Sequence, residues 1–270
     1  MKSHDADHKI ATLMTDFGTA DYFVGAMKGA LLSVAPDARV IDVTHDTPAH
    51  DIAAAAWTLA NVYPYFPPGA VHVCVVDPGV GSARRGLAVR AGGQFFVGPD
   101  NGLFTYVYER EPLIEAIELT NDKYFRAPVS RTFHGRDIFA PVAAHLLNGE
   151  PLELLGARVD DYARLPLARV HRLADNSLAA QVIHTDCFGN LVTNLRREDA
   201  EEAGIAPEAL TVEMRGHSFG VRETFAAGDE GELFAVWGSA GCLEIVARGR
   251  SAAALSGAGR GTSVTVRATE

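Results

Sequence analysis

Short apolar runs alternate with helical patterns along the first half of the chain. The runs of strand length occupy residues 9–16, 38–44 and 70–77. Between them, residues 22–36 and 51–66 carry apolar side chains at the spacing of an amphipathic helix, and Asp51 is placed to cap the second one. This alternation predicts an α/β domain with a largely parallel sheet. Two more strands, at 86–91 and 94–98, and helices from about Leu103 and over 136–149 complete the predicted first domain.

The pattern changes after about residue 165. Short β-rich runs separated by Gly, Asn and Asp turns follow, and only residues 196–204 look helical. Residues 154–170 are the candidate linker. We therefore predict an α/β domain over residues 1–165 and a smaller all-β, barrel-like domain over residues 166–270.

Composition excludes several classes of protein. The formal net charge of -10 argues against a general binder of nucleic acid or anionic membranes, because both demand a basic face. No apolar run approaches a membrane span, and the first residues lack the apolar core of a signal peptide. Three widely separated cysteines argue against a disulfide framework or a zinc site. We expect a soluble protein of the reducing cytoplasm.

Acidic residues lie where the first three predicted strands end. Asp16 follows the first strand, Asp42 and Asp46 lie around the end of the second, and Asp77 follows the third. Each of them could be a turn former or a helix cap. Ligands gather at the carboxyl ends of strands in open α/β sheets, so acidic residues at all three strand ends together favour a site.

Two stretches add candidate chemistry to these strand ends. In residues 76–85, VDPGVGSARR, the turn can return Arg84 or Arg85 to Asp77, either for catalysis or as a structural ion pair. His134 precedes a helix, where a histidine is most often a capping or packing residue.

The second half offers polar turns. Asp186 and Asn190 surround a Gly turn that a plain β-hairpin would also explain, and the backbone around Ser239 could hold a carboxylate. Residues 4–8 (HDADH) and 45–51 (HDTPAHD) contain histidine and aspartate, which can bind metal ions, but they have no established ligand geometry. We therefore predict no metal site.

Six motifs in order resemble one family. They are TDFG (15–18), VDPGVG with Arg84 (76–84), PDNG (99–102), FHGRD (133–137), D-x-FGN (186–190) and GSAG-x-LE (238–244). The chain resembles the S-adenosyl-L-methionine (SAM) hydrolases, also called SAM hydroxide adenosyltransferases, which are relatives of the fluorinase and chlorinase.

The resemblance implies a homotrimer whose sites lie between the first, catalytic domain of one subunit and the second domain of its neighbour, which completes the SAM site. SAM is the substrate and no cofactor is implied. The implied catalytic residues are Asp77, Arg84 (with Arg85 as its rival) and His134. The implied substrate contacts are Asp16 to the ribose hydroxyls, Asp186 to the methionine ammonium, Asn190 to the adenine edge, Phe225 stacked on the base and Ser239 at the methionine carboxylate.

The implied reaction is attack of water on the ribose C5′ of SAM, which gives adenosine and L-methionine. One alternative is a halogenase of the same superfamily, whose members carry an extra loop before the segment equivalent to PDNG. Residues 86–102 leave no room for such a loop. The other alternative is a non-catalytic SAM or adenosine sensor.

Overall fold

A computed structural model describes residues 9–269. The chain divides into two compact units, Met1–Leu165 and Pro166–Glu270. Residues 4–8, one of the two histidine- and aspartate-rich stretches considered for metal binding, lie outside the described residues. Within the described part, no helix is long and apolar enough to cross a membrane.

The first unit is built on a seven-stranded mixed sheet. Its strands are β1 (Ile10–Thr15), β2 (Arg39–Thr44), β3 (Val71–Val75), β4 (Gly86–Ala91), β5 (Gln94–Pro99), β6 (Ile114–Leu119) and β7 (Gly156–Val159). Their order is β2-β1-β3-β5-β4-β6-β7; the first four run parallel and the pairs β5–β4, β4–β6 and β6–β7 are antiparallel. The predicted α/β fold class is confirmed.

Helices cover both faces of this sheet. They are α1 (Phe23–Val34), α2 (Ile52–Val62), α3 (Thr105–Arg110) and α4 (Ala140–Leu147). One core contains α1 and α4 with Val71 and Val73 of β3, and another contains α2 and α3 with Cys74. Because neighbouring residues of a strand point to opposite faces, every residue of β3 is buried, and all of them except His72 are apolar. The side chain of Asp51 accepts from the Ala54 N–H at 3.0 Å, so the predicted cap is confirmed.

Three features of the first unit differ from the prediction. Strand β6 was not predicted, and β7 lies inside the stretch taken as a linker. The helix predicted over 136–149 begins with a π-helical turn, Gly135–Phe139, before α4. Periodicity does not reveal a π turn, because such a turn depends on what the widened backbone packs against.

The second unit is an antiparallel, nearly closed sheet. Its strands are β8 (His171–Arg172), β9 (Leu178–Thr185), β10 (Leu191–Arg196), β11 (Leu210–Met214), β12 (His217–Gly220), β13 (Leu233–Trp237), β14 (Cys242–Ala247) and β15 (Ser263–Ala268). The path β12-β11-β15-β9-β10-β14-β13 approaches closure where a bridge joins Val221 to Ala235. Leu178, Val182 and Ile245 lie in its core. The barrel-like prediction is confirmed.

Two short helices accompany these strands. The predicted one is α5 (Arg197–Glu202), and α6 (Ala252–Ser256) was not predicted. The side chain of Ser251 caps α6 by accepting from the Ala254 N–H at 3.0 Å. A five-residue helix is too short to show a hydrophobic period, so its cap was the sole local signal.

A histidine lies in the middle of the first unit's sheet. His72 of β3 is fully buried, with its Nδ1 2.8 Å from the Thr12 hydroxyl and its Nε2 3.0 Å from Gln94 Oε1. An amide oxygen can only accept, so Nε2 carries the proton and Thr12 donates to Nδ1. Burial lowers the pKa of His72 to about 4.

This histidine predicts a loss of stability in acid. An unfolded chain protonates it near its ordinary pKa of 6.5 and the folded protein only near 4, so the unfolded state binds more protons between these pH values. We expect this group alone to lower the free energy of unfolding by about 3 kcal/mol as the pH falls through that window. Urea unfolding at a series of pH values measures it. The variant His72→Gln should show a shallower pH dependence, and equal slopes for the two proteins would contradict the assignment.

Candidate active site

A buried ion pair lies at the end of β3. Arg84 Nε donates to Asp77 Oδ1 at 2.8 Å, and its Nη2 donates to Asp77 Oδ2. The exposed fraction of the side chain is 4% for Asp77 and 11% for Arg84. A buried carboxylate needs such a partner, and the planar guanidinium meets both of its oxygens at once. Of the two arginines that the sequence left as rivals, Arg84 is the one that pairs with Asp77.

The turn that returns Arg84 depends on a glycine. Gly81 has a φ of +78°, and a Cβ there would lie 2.3 Å from the carbonyl oxygen of Arg131. A side chain would therefore be strained and would also push apart the turn and the segment that leads to His134.

His134 completes this group. Its Nδ1 lies 2.8 Å from Arg84 Nη2. A guanidinium can only donate, so Nδ1 accepts and the proton of the neutral ring is on Nε2. Burial, together with the positive charge of Arg84, lowers the pKa of His134 below its ordinary value. We call Asp77, Arg84 and His134 the triad; it presents donors to its surroundings.

A second carboxylate holds the helix that begins at His134. Asp137 is fully buried and accepts from Arg136 Nε at 2.7 Å, from Arg136 Nη2 at 2.8 Å and from the Ser130 N–H at 2.9 Å. Burial by itself raises the pKa of a carboxyl group, but these hydrogen bonds leave the pKa of Asp137 below its ordinary value. The ring of Phe139, at the end of the π turn, lies 5.3 Å from the Arg84 guanidinium. Sequence analysis did not identify the pairing of Arg136 with Asp137, although both residues belong to the FHGRD motif.

Arg85 has a different set of partners. Its guanidinium lies 2.7 Å from Asp100 of the PDNG motif and 2.7 Å from Asp161. Asp100 also accepts from the Ala163 N–H at 2.7 Å. Arg85 therefore joins the turn after β3 to the turn after β5 and to the segment beyond β7.

Asp16 lies after β1, next to the strand that Asp77 follows. Its Oδ2 accepts from the His50 N–H at 2.8 Å. In the described part of the chain, no hydrogen bond or ion pair joins Asp16 to the triad. Asp42 is on the edge strand β2 and pairs with Lys28 at 2.6 Å. Among the described residues it has no hydrogen bond or ion pair with Asp16 or with the triad, and its link to the Asp16 loop runs through His45.

A polar chain supports the loop that carries Asp16. His45 is buried, with its Nδ1 2.9 Å from the Thr15 hydroxyl and its Nε2 3.1 Å from Asp42. These contacts give the His45 side chain a structural role that involves no metal. Among the described residues no cluster of His, Cys, Asp and Glu could hold a metal ion.

The second unit has a cavity of about 550 Å³. It is lined by Phe188, Asn190, Phe225, Ser251 and residues 247–250. Asn190 and Phe225 were predicted to contact an adenine, and the cavity brings them together. Phe188 is 76% exposed and Phe225 is 53% exposed, so two aromatic rings are open to a ligand. Sequence analysis did not identify Phe188 or Ser251 as lining residues.

Asp186 lies inside the turn between β9 and β10. Its Oδ1 accepts from the N–H groups of Phe188 (2.9 Å) and Asn190 (2.8 Å), and its Oδ2 accepts from Asn190 Nδ2 at 2.8 Å. It is not among the residues that line the cavity. Ser239, also predicted, is exposed in the turn between β13 and β14. Burial and the nearby charge of Asp186 raise the pKa of Glu244, which sequence analysis had not singled out.

Two family models match consecutive parts of this chain. The SAM hydroxide adenosyltransferase N-terminal domain matches residues 11–156, and the C-terminal domain matches residues 180–265. The chain belongs to the SAM hydroxide adenosyltransferase family. The resemblance carried by the six motifs is thereby confirmed.

Several curated relatives of this chain share one name. The chain is 43% identical over 246 residues to the (R)-S-adenosyl-L-methionine hydrolase of Salinispora arenicola, covering 89% of this chain and 91% of that protein. It is 42% identical over 252 residues to the protein of the same name from Thermus thermophilus, covering 90% and 93%. A fluorinase from an Actinoplanes species is more distant, at 31% identity over 222 residues.

The fold is also found among solved structures. A crystal structure of a conserved protein of Thermotoga maritima, described as uncharacterized, superposes with a TM-score of 0.87 at 33% identity. The superposition covers 95% of this chain and 99% of that one.

The contacts of Arg85 predict a structural role. Arg85→Ala would leave Asp100, whose side chain is 5% exposed, without its cation. We expect the free energy of unfolding to fall by about 3 kcal/mol, as for a buried ion pair that loses one partner. The matched control is Arg90→Ala, because Arg90 is 49% exposed and its pair with Glu115 lies at the surface, where about 0–1 kcal/mol is typical. Equal losses in urea unfolding of the two variants would refute the structural role.

Proposed function

We propose that this protein hydrolyses SAM: water attacks the ribose C5′, the bond from C5′ to the sulfonium breaks, and adenosine and L-methionine are released. The curated relatives at 42–43% identity are named (R)-S-adenosyl-L-methionine hydrolase. The observation that carries the proposal is the triad, a buried group of donors after β3 that suits the holding of a water molecule.

The leaving group needs little help from the protein. A sulfonium is already cationic and departs as a neutral thioether, so no general acid and no cofactor is required. The attacking oxygen gains negative, hydroxide-like charge as it approaches the positively charged sulfonium, so the two charges partly cancel in the transition state. A preorganised site shielded from water favours that cancellation, and orientation of the two reactants adds to it.

The triad would act by donating hydrogen bonds to the attacking oxygen. Arg84 donates from Nε to Asp77, from Nη2 to Asp77 and His134, and from Nη1 to the Arg85 carbonyl at 3.2 Å. Within the described residues this leaves one of its five N–H groups, and the Nε2–H of His134, without a partner. Two such donors, if both bonded one water oxygen, would lower the pKa of that water. His134 would accept a proton only after giving up its hydrogen bond from Arg84.

The halogenase alternative is disfavoured by the turn between β4 and β5. Gly92 and Gly93 form a two-residue connection with φ values of +56° and +77°. Such a turn matches the twist of a hairpin. It leaves no place for the extra loop that the resemblance assigns to halogenases before the PDNG segment.

The remaining substrate contacts are proposed from the family resemblance. Asp16 would hold the ribose hydroxyls, Asn190 and Phe225 the base, and Asp186 and Ser239 the methionine end. We further propose a homotrimer in which the first domain of one subunit and the second domain of its neighbour supply each site. The cytoplasm stays our expectation for its location; Cys74 and Cys187 are free thiols, as a reducing compartment would leave them.

A turnover assay tests the reaction and the role of His134 together. We expect wild-type protein to convert SAM to adenosine and L-methionine in equal amounts, as followed by chromatography. His134→Ala should lower kcat by about 10²–10³-fold, the effect of losing a preorganised donor, with little change in KM. His134→Gln keeps an N–H donor without a basic nitrogen and should retain far more activity.

The outcomes of this assay separate the alternatives. Binding of SAM by wild-type protein without either product would favour the sensor. Halide-dependent formation of a 5′-halogenated nucleoside would favour the halogenase. If His134→Gln is as slow as His134→Ala, His134 accepts a proton; if His134→Ala keeps normal turnover, His134 has a packing role.

The shared sites predict complementation between two inactive variants. His134→Ala and Asn190→Ala each damage a different domain. When the two are co-expressed, a trimer would contain some sites with an intact His134 from one subunit and an intact Asn190 from its neighbour. We expect activity well above that of either variant alone, and sedimentation at three times the subunit mass. No recovery of activity in a mixed trimer would show that each chain builds its own site.

A further inference from the structure

The carboxylate of Asp186 fixes which way the amide of Asn190 points. An ionised carboxylate can only accept hydrogen bonds, so the amide atom 2.8 Å from Asp186 Oδ2 is the NH₂ group. The amide oxygen of Asn190 is therefore on the other side. In the described part of the chain no group donates to this oxygen. Asn190 is 8% exposed and lines the cavity of the second unit, so its oxygen is an acceptor available to a ligand there.

The surrounding turn fixes the backbone of Asn190, so the contact with Asp186 Oδ2 decides the orientation of its amide. Its N–H donates to Asp186 Oδ1 at 2.8 Å, and its carbonyl accepts from the Asp186 N–H at 3.0 Å. The neighbouring Gly189 has a φ of +84°, and a Cβ there would lie 2.0 Å from the Ser251 hydroxyl oxygen. The Gly189 carbonyl accepts from the Ala253 N–H at 2.9 Å, which joins this turn to the start of α6.

We propose that Asp186 is a positioning residue that holds the Asn190 amide oxygen toward the cavity and so selects a purine with an exocyclic amino group over one with a carbonyl at the same place. The inference rests on the proposed function, in which this cavity takes the base of SAM. An amino group at C6, as in adenine, donates to the amide oxygen. A carbonyl at C6, as in hypoxanthine, would place two acceptors against each other.

This role makes a different prediction from a contact with the methionine ammonium. If Asp186 touched only the ammonium, its replacement would weaken SAM and methionine and leave adenosine unaffected. If Asp186 orients Asn190, its replacement changes the binding of nucleosides that contain no methionine at all.

Calorimetry with adenosine and inosine on the full-length protein tests the proposal. Wild-type protein should bind adenosine at least about 10²-fold more tightly than inosine, because a buried polar group is left unpaired by the wrong base. In Asp186→Asn, the side-chain oxygen should keep the two N–H groups of the turn, which places the new NH₂ against Asn190. The Asn190 amide then rotates and offers its NH₂ to the cavity. The adenosine-to-inosine preference should fall by tenfold or more, and inosine itself should bind more tightly than it does to wild-type protein.

The matched control is Glu244→Gln. It removes one negative charge near Asp186 without touching the amide of Asn190, so the adenosine-to-inosine preference should stay as in wild-type protein. An equal loss in both variants would mean that charge, and not amide orientation, sets the preference. That result would overturn the proposal, as would an unchanged preference in Asp186→Asn.

A second variant keeps the test decisive if Asp186→Asn does not fold. Asn190→Ala removes the amide and leaves Asp186 in place, so the two nucleosides should then bind with similar affinity. Retained discrimination in Asn190→Ala would overturn the proposal. These are binding measurements, so they are independent of turnover: a protein that discriminates as expected without cleaving SAM refutes the proposed reaction alone, and one that cleaves SAM without discriminating refutes this inference alone.

Discussion

The pairing of Asp77 with Arg84 is the interaction on which the end of β3 depends. A side chain that is 4% exposed cannot keep its negative charge without a partner, and the guanidinium supplies that partner through two parallel hydrogen bonds. The same guanidinium reaches His134, so one ion pair sets the positions of a strand end, a turn and the first residue of a helix. The same arrangement, an arginine paired with a buried aspartate, recurs at neighbouring loops in Arg85 with Asp100 and in Arg136 with Asp137.

Side chains that can only donate or only accept hydrogen bonds determine the tautomer of His134 and the amide orientation of Asn190. Arginine can only donate, so His134 must accept at Nδ1 and carry its proton on Nε2. A carboxylate can only accept, so Asn190 must turn its NH₂ to Asp186. In both domains a charged side chain sets the direction of an adaptable one. The adaptable side chain is the one placed to meet a ligand or a water molecule.

Much of the fold was predictable because it depends on local pattern. Periodicity identified β1 to β5 and the two helices between the first three strands, and turn residues identified the change to β structure near residue 165. Strands β6 and β7 were missed because they are half-exposed, so neither has a continuous apolar run. The π turn after His134 and the short α6 were not predicted, because neither has a period of its own.

The sequence by itself determined the fold class, the family and the candidate residues, since hydrophobic period and ordered motifs are properties of the chain. Only the tertiary structure decided between Arg84 and Arg85, because adjacent residues diverge according to which buried carboxylate each one meets. It also placed Asp186 inside a turn and Asn190 on a cavity, although the two are four residues apart. Hydrogen-bond direction depends on the partner that folding brings within 3 Å, and no spacing along the chain specifies that partner.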